Sequence, residues 1–147
     1  KIALGIANIE LGNQDFIFLG NLDAKRDWGH AKDYVEGMWK IVQNKDPDDF
    51  VLATGKSYSV RNFAEEAFRQ VGKDIVWDGE GVNELGRDKL TNKVLIRIDP
   101  KYYRPTEVDC LIGDSKKAKK ILGWEAKISF EELVKEMVNF ALNNSKE

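Results

Sequence analysis

Two short segments of this chain set an arginine among aromatic and helix-breaking residues. The first runs Leu19-Gly20-Asn21-Leu22-Asp23-Ala24-Lys25-Arg26-Asp27-Trp28-Gly29-His30-Ala31-Lys32-Asp33-Tyr34-Val35. The second runs Asp99-Pro100-Lys101-Tyr102-Tyr103-Arg104-Pro105-Thr106-Glu107-Val108-Asp109. Such loops suit anion capture, because a guanidinium keeps its charge and its forked donors match two phosphate oxygens at once. Arg26 and Arg104 could clamp one diphosphate from two sides. Each could instead pair on the surface with its neighbouring carboxylate, Asp27 or Glu107, and the residues by themselves favour that plainer reading. No catalytic constellation accompanies them. There is no P-loop, nucleophile elbow or H-E-x-x-H, and no Gly-rich turn joins a strand to a helix as dinucleotide binding requires. Gly79-Glu80-Gly81 lies in a charged stretch with no helix after it.

The elements that must position these loops are legible in the apolar periodicity. Lys1 to Leu11 reads as a helix with Ile2, Ile6 and Ile9 on one face and Gly12 as its stop. Lys1 sits inside that pattern without a cap, which leads to the expectation of a chain cut within an element. Phe16 to Leu19 reads as a short strand ending at Gly20-Asn21. Tyr34, Val35, Met38, Trp39 and Val42 form the stripe of a second helix, and Asp46-Pro47-Asp48 breaks the chain. Phe50 to Ala53 reads as a buried strand. Ser59 caps a third helix with Phe63, Ala67, Phe68 and Val71 inward and Gly72 at its end. Ile75 to Trp77 is another strand, residues 78 to 92 a mobile loop, and Val94 to Ile98 a strand. Asp114 caps a short helix that stops at Leu122-Gly123. Ser129 and Glu132 make a capping box, with Ile128 and Leu133 as a hydrophobic staple. They start a last helix that buries Phe130, Leu133, Val134, Met137 and Phe140 or Ala141. The expected fold class is α/β, α+β-like as a fragment, rather than a complete doubly wound sheet.

Several residues carry two readings. Trp39 and Trp124 read as core, while Trp28 could shape the phosphate loop, though packing suits it better. His30 fits local hydrogen bonding at a helix start better than acid–base work. Cys110 reads as a small core residue rather than a reactive thiol, and Lys116 to Lys120 as a solvated face. Asp23 and Asp27 could hold a metal only with further carboxylates nearby.

The chain has 147 residues, 42% hydrophobic and 33% charged, which suits one domain or half of a two-domain enzyme. Its 23 basic and 25 acidic residues give a net charge of −2, so no basic face announces nucleic acid. No apolar run approaches the roughly 18 residues of a membrane helix. The single cysteine excludes an internal disulfide and makes a reducing, cytoplasmic setting the default. With one Cys and one His, a structural zinc site is not expected.

The segments LGNLDAKRDWGHAKDYVEGMW, FVLATGKSYSVRNFAEEAF and YYRPTEVDCLIGDSKKAKKILGW resemble the carboxyl-terminal half of GDP-mannose 4,6-dehydratases, members of the extended short-chain dehydrogenase/reductase family. The resemblance runs from Lys1 to about Leu142, with RDWGHAKDYV and YYRPTEVD its specific parts. It implies that residues 1–147 form a substrate-binding lobe. An amino-terminal Rossmann domain, holding NADP and the catalytic set, would lie outside this chain. Arg26 and Arg104 would then grip the diphosphate of a GDP-sugar. Tyr102 and Glu107 would line the nucleoside end, with Glu107 accepting from ribose hydroxyls. Leu19, Gly20 and Asn21 would meet the base along a strand edge, with Lys1 nearby and Lys25 adding positive potential. The implied reaction oxidises C4 of GDP-mannose, eliminates water across C5 and C6, and reduces C6. The resemblance further implies a homodimer or homotetramer. It implies that Phe50 to Ala53 join the edge of the Rossmann sheet and that the Trp39 helix packs on that sheet, so that this chain by itself exposes an apolar face. Alternatives are a sibling reductase, epimerase or dehydratase, or a non-catalytic nucleotide-sugar-binding module.

Overall fold

A computed structural model of the chain describes residues 1–103 and 110–145. In chain order its regular elements begin α1 (Ile2–Glu10), β1 (Ile17–Leu19), β2 (Lys25–Arg26), α2 (Ala31–Gln43), β3 (Tyr58–Ser59) and α3 (Val60–Arg69). They continue β4 (Ile75–Asp78), β5 (Leu85–Asp88), β6 (Val94–Ile98), α4 (Lys116–Leu122) and α5 (Phe130–Asn144). The described chain divides into two units, one from residues 1–24, 59–103 and 134–145, the other from 25–58 and 110–133.

The first unit holds a four-stranded sheet in the order β1-β6-β5-β4. β1 runs parallel to β6, with Leu19 opposite Ile98, while β5 is antiparallel to both β4 and β6. α1 packs on α3, burying Ile6 and Ala7 of one and Phe63, Ala64, Ala67 and Phe68 of the other. α1 ends where Gly12 adopts φ 74°, which lets Asn13 N–H return to the Asn8 carbonyl at 2.8 Å. α3 begins with a reciprocal box in which the Ser59 hydroxyl accepts from Asn62 N–H and the Asn62 side chain accepts from Ser59 N–H.

Residues 78 to 92 are not the loop expected from their charges, for they contain β5. Arg87 and Asp88 hide its alternation. Gly86 sits mid-strand because a Cβ there would lie 3.0 Å from both Ile96 and the Trp77 ring. Asp88 is buried, and its carboxylate closes the β5–β6 turn by accepting from the Thr91 hydroxyl at 2.6 Å.

The second unit places α2 against α4. The Nδ1 of His30 accepts from Lys32 N–H at 3.1 Å and caps α2, the local role expected of it. Asp33, buried in the first turn of α2, accepts from Lys127 and Ile128 N–H, each at 3.0 Å. Trp124 is core, as expected, and its indole N–H reaches the Asp33 carbonyl at 2.7 Å. Trp39 is not core: it is 62% exposed, in line with exposed Val35, Met38 and Val42. The amphipathic stripe exists, but no described residue covers it. Phe50 to Ala53 forms no strand among the described residues, because no ladder partner runs beside it; only Ala53 is buried, and Val51 is exposed.

The Ser129–Glu132 capping box forms at the start of α5, with Ser129 N–H donating to Glu132 and Glu132 N–H to the Ser129 hydroxyl. The buried residues of α5 are Phe130, Val134, Val138 and Ala141. Met137 and Phe140, expected inside, are exposed, Phe140 by 69%. Steps of three and four from Phe130 select one face, and the expected set straddled two. Cys110 is exposed rather than core, with its Sγ 3.6 Å from the Ser57 hydroxyl. At α4, Asp114 accepts from Lys116 N–H at 2.9 Å one residue ahead of the cap position, Ser115.

Candidate functional site

The first unit brings together Lys1, Leu19, Gly20 and Tyr102. The Leu19 carbonyl accepts from Asp99 N–H at 2.9 Å, which carries the β1–β6 pairing one step beyond the ladder. Gly20 then passes the main chain of Tyr102. A Cβ at Gly20 would lie 2.4 Å from the Tyr102 carbonyl oxygen, so no other residue fits without displacing that backbone. Lys1 Nζ stands 3.3 Å from the centroid of the Tyr102 ring, close enough for a cation–π contact. Asn21 closes a turn by accepting from Asp23 N–H at 3.0 Å through its side-chain oxygen.

In the second unit, Lys25 and Arg26 form β2, and the Lys25 carbonyl accepts from Leu111 N–H at 3.3 Å. Arg26 Nη1 donates to that same carbonyl at 2.7 Å. Its neighbour Asp27 is a hub. It accepts from Thr54 N–H (2.9 Å), the Thr54 hydroxyl (2.5 Å), Gly55 N–H (3.0 Å) and Gly113 N–H (3.2 Å). Two distant stretches of chain, at Thr54–Gly55 and at Gly113, therefore converge on the residue beside Arg26. Burial pushes the Asp27 carboxyl up. The Thr54 hydroxyl and the backbone N–H groups of Gly113, Thr54 and Gly55 outweigh it and hold the pKa below the ordinary 3.8. The stabilisation tied to this shift is present above 3.8 and is lost as pH falls through the lower, folded-state pKa. Asp27→Asn keeps the size but turns an amide toward donors, and is expected to cost about 2 kcal/mol at neutral pH. Thermal melts of both proteins from neutral pH downward check this: the gap between them narrows below 3.8.

Beyond Asp27 the ring of Trp28 stacks with Phe130 at 6.0 Å, and Tyr58 stacks on Phe130 at 4.0 Å. Trp28 thus packs, as its plainer reading had it. These rings, with Thr54, Lys56 and Lys127, line a cavity of about 150 Å³.

Arg104 and Glu107 lie outside the described residues. The structure adds Asp27, whose role as an anchor the sequence did not announce; the only signal was a carboxylate next to an arginine inside a Gly- and Trp-rich turn. It also adds Arg61 of α3, described below. Gly79 (φ 84°) and Gly81 (φ 57°) belong to the β4–β5 turn. Among the described residues there is no group of three His, Cys, Asp or Glu placed to hold a metal, and no helix long and apolar enough to cross a membrane.

The fold recurs in solved structures. RMD from Pseudomonas aeruginosa complexed with NADPH superposes with a TM-score of 0.75 at 15% identity, over 97% of this chain and 41% of its own. dTDP-glucose 4,6-dehydratase from Bacillus anthracis, in complex with NAD, gives a TM-score of 0.72 at 15% identity, over 99% of this chain and 40% of its own. This chain therefore shares its α/β fold with about two fifths of each of these longer chains. In sequence it is 58% identical to GDP-mannose 4,6 dehydratase of Homo sapiens over 139 residues, 95% of this chain and 37% of that protein. It is 52% identical to GDP-mannose 4,6-dehydratase of Sinorhizobium fredii over 94% of this chain and 39% of that protein. The family profile described as GDP-mannose 4,6 dehydratase matches residues 1–137, and the chain belongs to that family. It spans little more than a third of the length of these curated relatives.

Proposed function

We propose that the chain is the substrate-binding lobe of a GDP-mannose 4,6-dehydratase, which converts GDP-mannose to GDP-4-keto-6-deoxymannose. Residues 1–147 hold the nucleotide end of the substrate. A Rossmann domain outside this chain holds NADP, the hydride carrier of the internal redox cycle. Arg26 and Arg104 take the diphosphate, and Lys25 adds positive potential. Lys1, Leu19, Gly20, Asn21, Tyr102 and Glu107 take the nucleoside. Fixing the substrate at its diphosphate keeps the sugar in place while its carbons are oxidised, dehydrated and reduced in turn.

The observation that carries the reading is the Asp27 hub, which anchors the backbone beside Arg26 through four hydrogen bonds and so pre-organises a phosphate ligand. The bare apolar stripe of α2 supports a covering Rossmann domain. The complete enzyme would work in the cytoplasm as a homodimer or homotetramer.

The test is a chimera in which this chain replaces the matching part of the human relative. Turnover of GDP-mannose, with no turnover of UDP-glucose or dTDP-glucose, supports the reading. Turnover of another sugar nucleotide instead makes the chain part of a sibling enzyme. GDP binding without any turnover makes it a binding module.

A further inference from the structure

Arg61, on α3, is bound more closely than a surface arginine needs to be. Its guanidinium meets Glu84 at two points, Nη1 to Oε1 at 2.5 Å and Nη2 to Oε2 at 3.1 Å. It also donates to Asp23 Oδ1 from Nε at 3.3 Å and Nη2 at 3.1 Å, and lies 4.6 Å from the centre of the Trp77 ring. Trp77 is held in turn, its indole N–H donating to Glu65 at 2.7 Å. The main chain repeats the tie: Arg61 N–H donates to the Leu22 carbonyl at 2.8 Å and Val60 N–H to the Ala24 carbonyl at 3.1 Å.

All three guanidinium nitrogens are thus used, in a planar arrangement that a lysine ammonium cannot copy. The Arg61 and Glu84 side chains are 23% and 12% exposed, whereas Asp23 is 77% exposed. An exposed carboxylate gains little stability from such a pair, so its value lies in where it holds the chain. Asp23 is joined to Asn21 through the turn described above, and Asn21 follows Gly20 on the edge that meets Tyr102. Arg61 therefore links the β4–β5 turn, through Glu84, to the edge Leu19–Asn21.

We propose that Arg61 is a positioning residue that sets the Leu19–Asn21 edge and thereby the choice of nucleobase. The inference rests on the reading that this edge meets the base of a GDP-sugar. A residue acting there alters discrimination between bases and leaves recognition of the second phosphate alone. A residue that only stabilises the fold weakens every nucleotide alike.

The test uses Arg61→Lys and Asp23→Asn in the chimera described above, with calorimetric titration of GDP, UDP and GMP and steady-state kinetics on GDP-mannose. Asp23→Asn removes the charge of an exposed partner, leaving only a neutral acceptor, and keeps the Arg61–Glu84 pair, so it reports even where Arg61→Lys fails to fold. Each variant is expected to bind GDP about tenfold more weakly, with its preference for GDP over UDP reduced by about the same factor. The ratio of GDP to GMP affinity stays as in the parent, and KM rises while kcat holds. Equal weakening of GDP and UDP, or no change in a folded Asp23→Asn protein, would overturn the inference. A parent protein that shows no preference for GDP over UDP overturns the underlying reading, a result visible before any variant is made.

Discussion

Replacing Arg26 with alanine is expected to weaken GDP binding about a hundredfold while changing GMP binding much less. The loss corresponds to about 2.7 kcal/mol, within the range for hydrogen bonds to a charged group. The asymmetry follows from the role proposed for Arg26. A guanidinium set against a diphosphate bridges oxygens that a monophosphate lacks. Arg26→Lys keeps the charge but loses the fork, and is expected to fall between the parent and the alanine variant. Because Asp27 accepts hydrogen bonds from Thr54, Gly55 and Gly113, its anchor survives either change, and the effect is local. Calorimetric titration of the chimera with GDP and GMP makes the check. Equal losses for the two ligands would show that Arg26 does not read the second phosphate. Arg104→Ala is subject to the same comparison.

The second large effect concerns stability. Trp124→Ala is expected to destabilise the protein by about 3–5 kcal/mol, the usual cost of emptying the site of a large aromatic core residue. Trp124 is 1% exposed, its indole N–H donates to the Asp33 carbonyl, and its ring lies 6.0 Å from that of Tyr34. Gly37 is small because a Cβ there would come within 2.9 Å of the Trp124 indole nitrogen. Trp124→Phe removes the hydrogen bond and part of the ring, and about 1–3 kcal/mol of the loss should remain. Urea titrations of the two variants against the parent measure both steps. A Trp124→Ala protein as stable as the parent would mean that the ring contributes no net packing.

Elements with strong local signals were legible in the sequence. Ser59, Ser129 with Glu132, and the glycines at 12, 72 and 123 mark helix ends by short-range hydrogen bonds or positive φ, which the neighbouring residues determine. β5 was illegible because its partners β4 and β6 supply the reason for its existence. Arg87 and Asp88 read as loop until the buried turn that Asp88 closes is known. Phe50 to Ala53 failed in the opposite direction, since its apolar run fits a strand but no described residue pairs with it. The faces of α2 and α5 show the same limit: periodicity finds a stripe and cannot say which side is covered. At the site, Gly20, Tyr102 and Lys1 were named through resemblance, and the structure gives their closeness a steric form. Asp27 and Arg61 were missed because their partners lie at Thr54, Gly55 and Gly113, and at Asp23 and Glu84, which no local pattern links.

The two units are interleaved along the chain: the first takes residues from the start, the middle and the end, with the second threaded between. β1 pairs with β6, so the strand ending at Leu19 has no partner until Ile98 has left the ribosome. The last turns of α5, with buried Val138 and Ala141, come later still. Until β6 has emerged, the nascent chain must keep Ile17 and Leu19 without their partner, a long-range closure that slows folding.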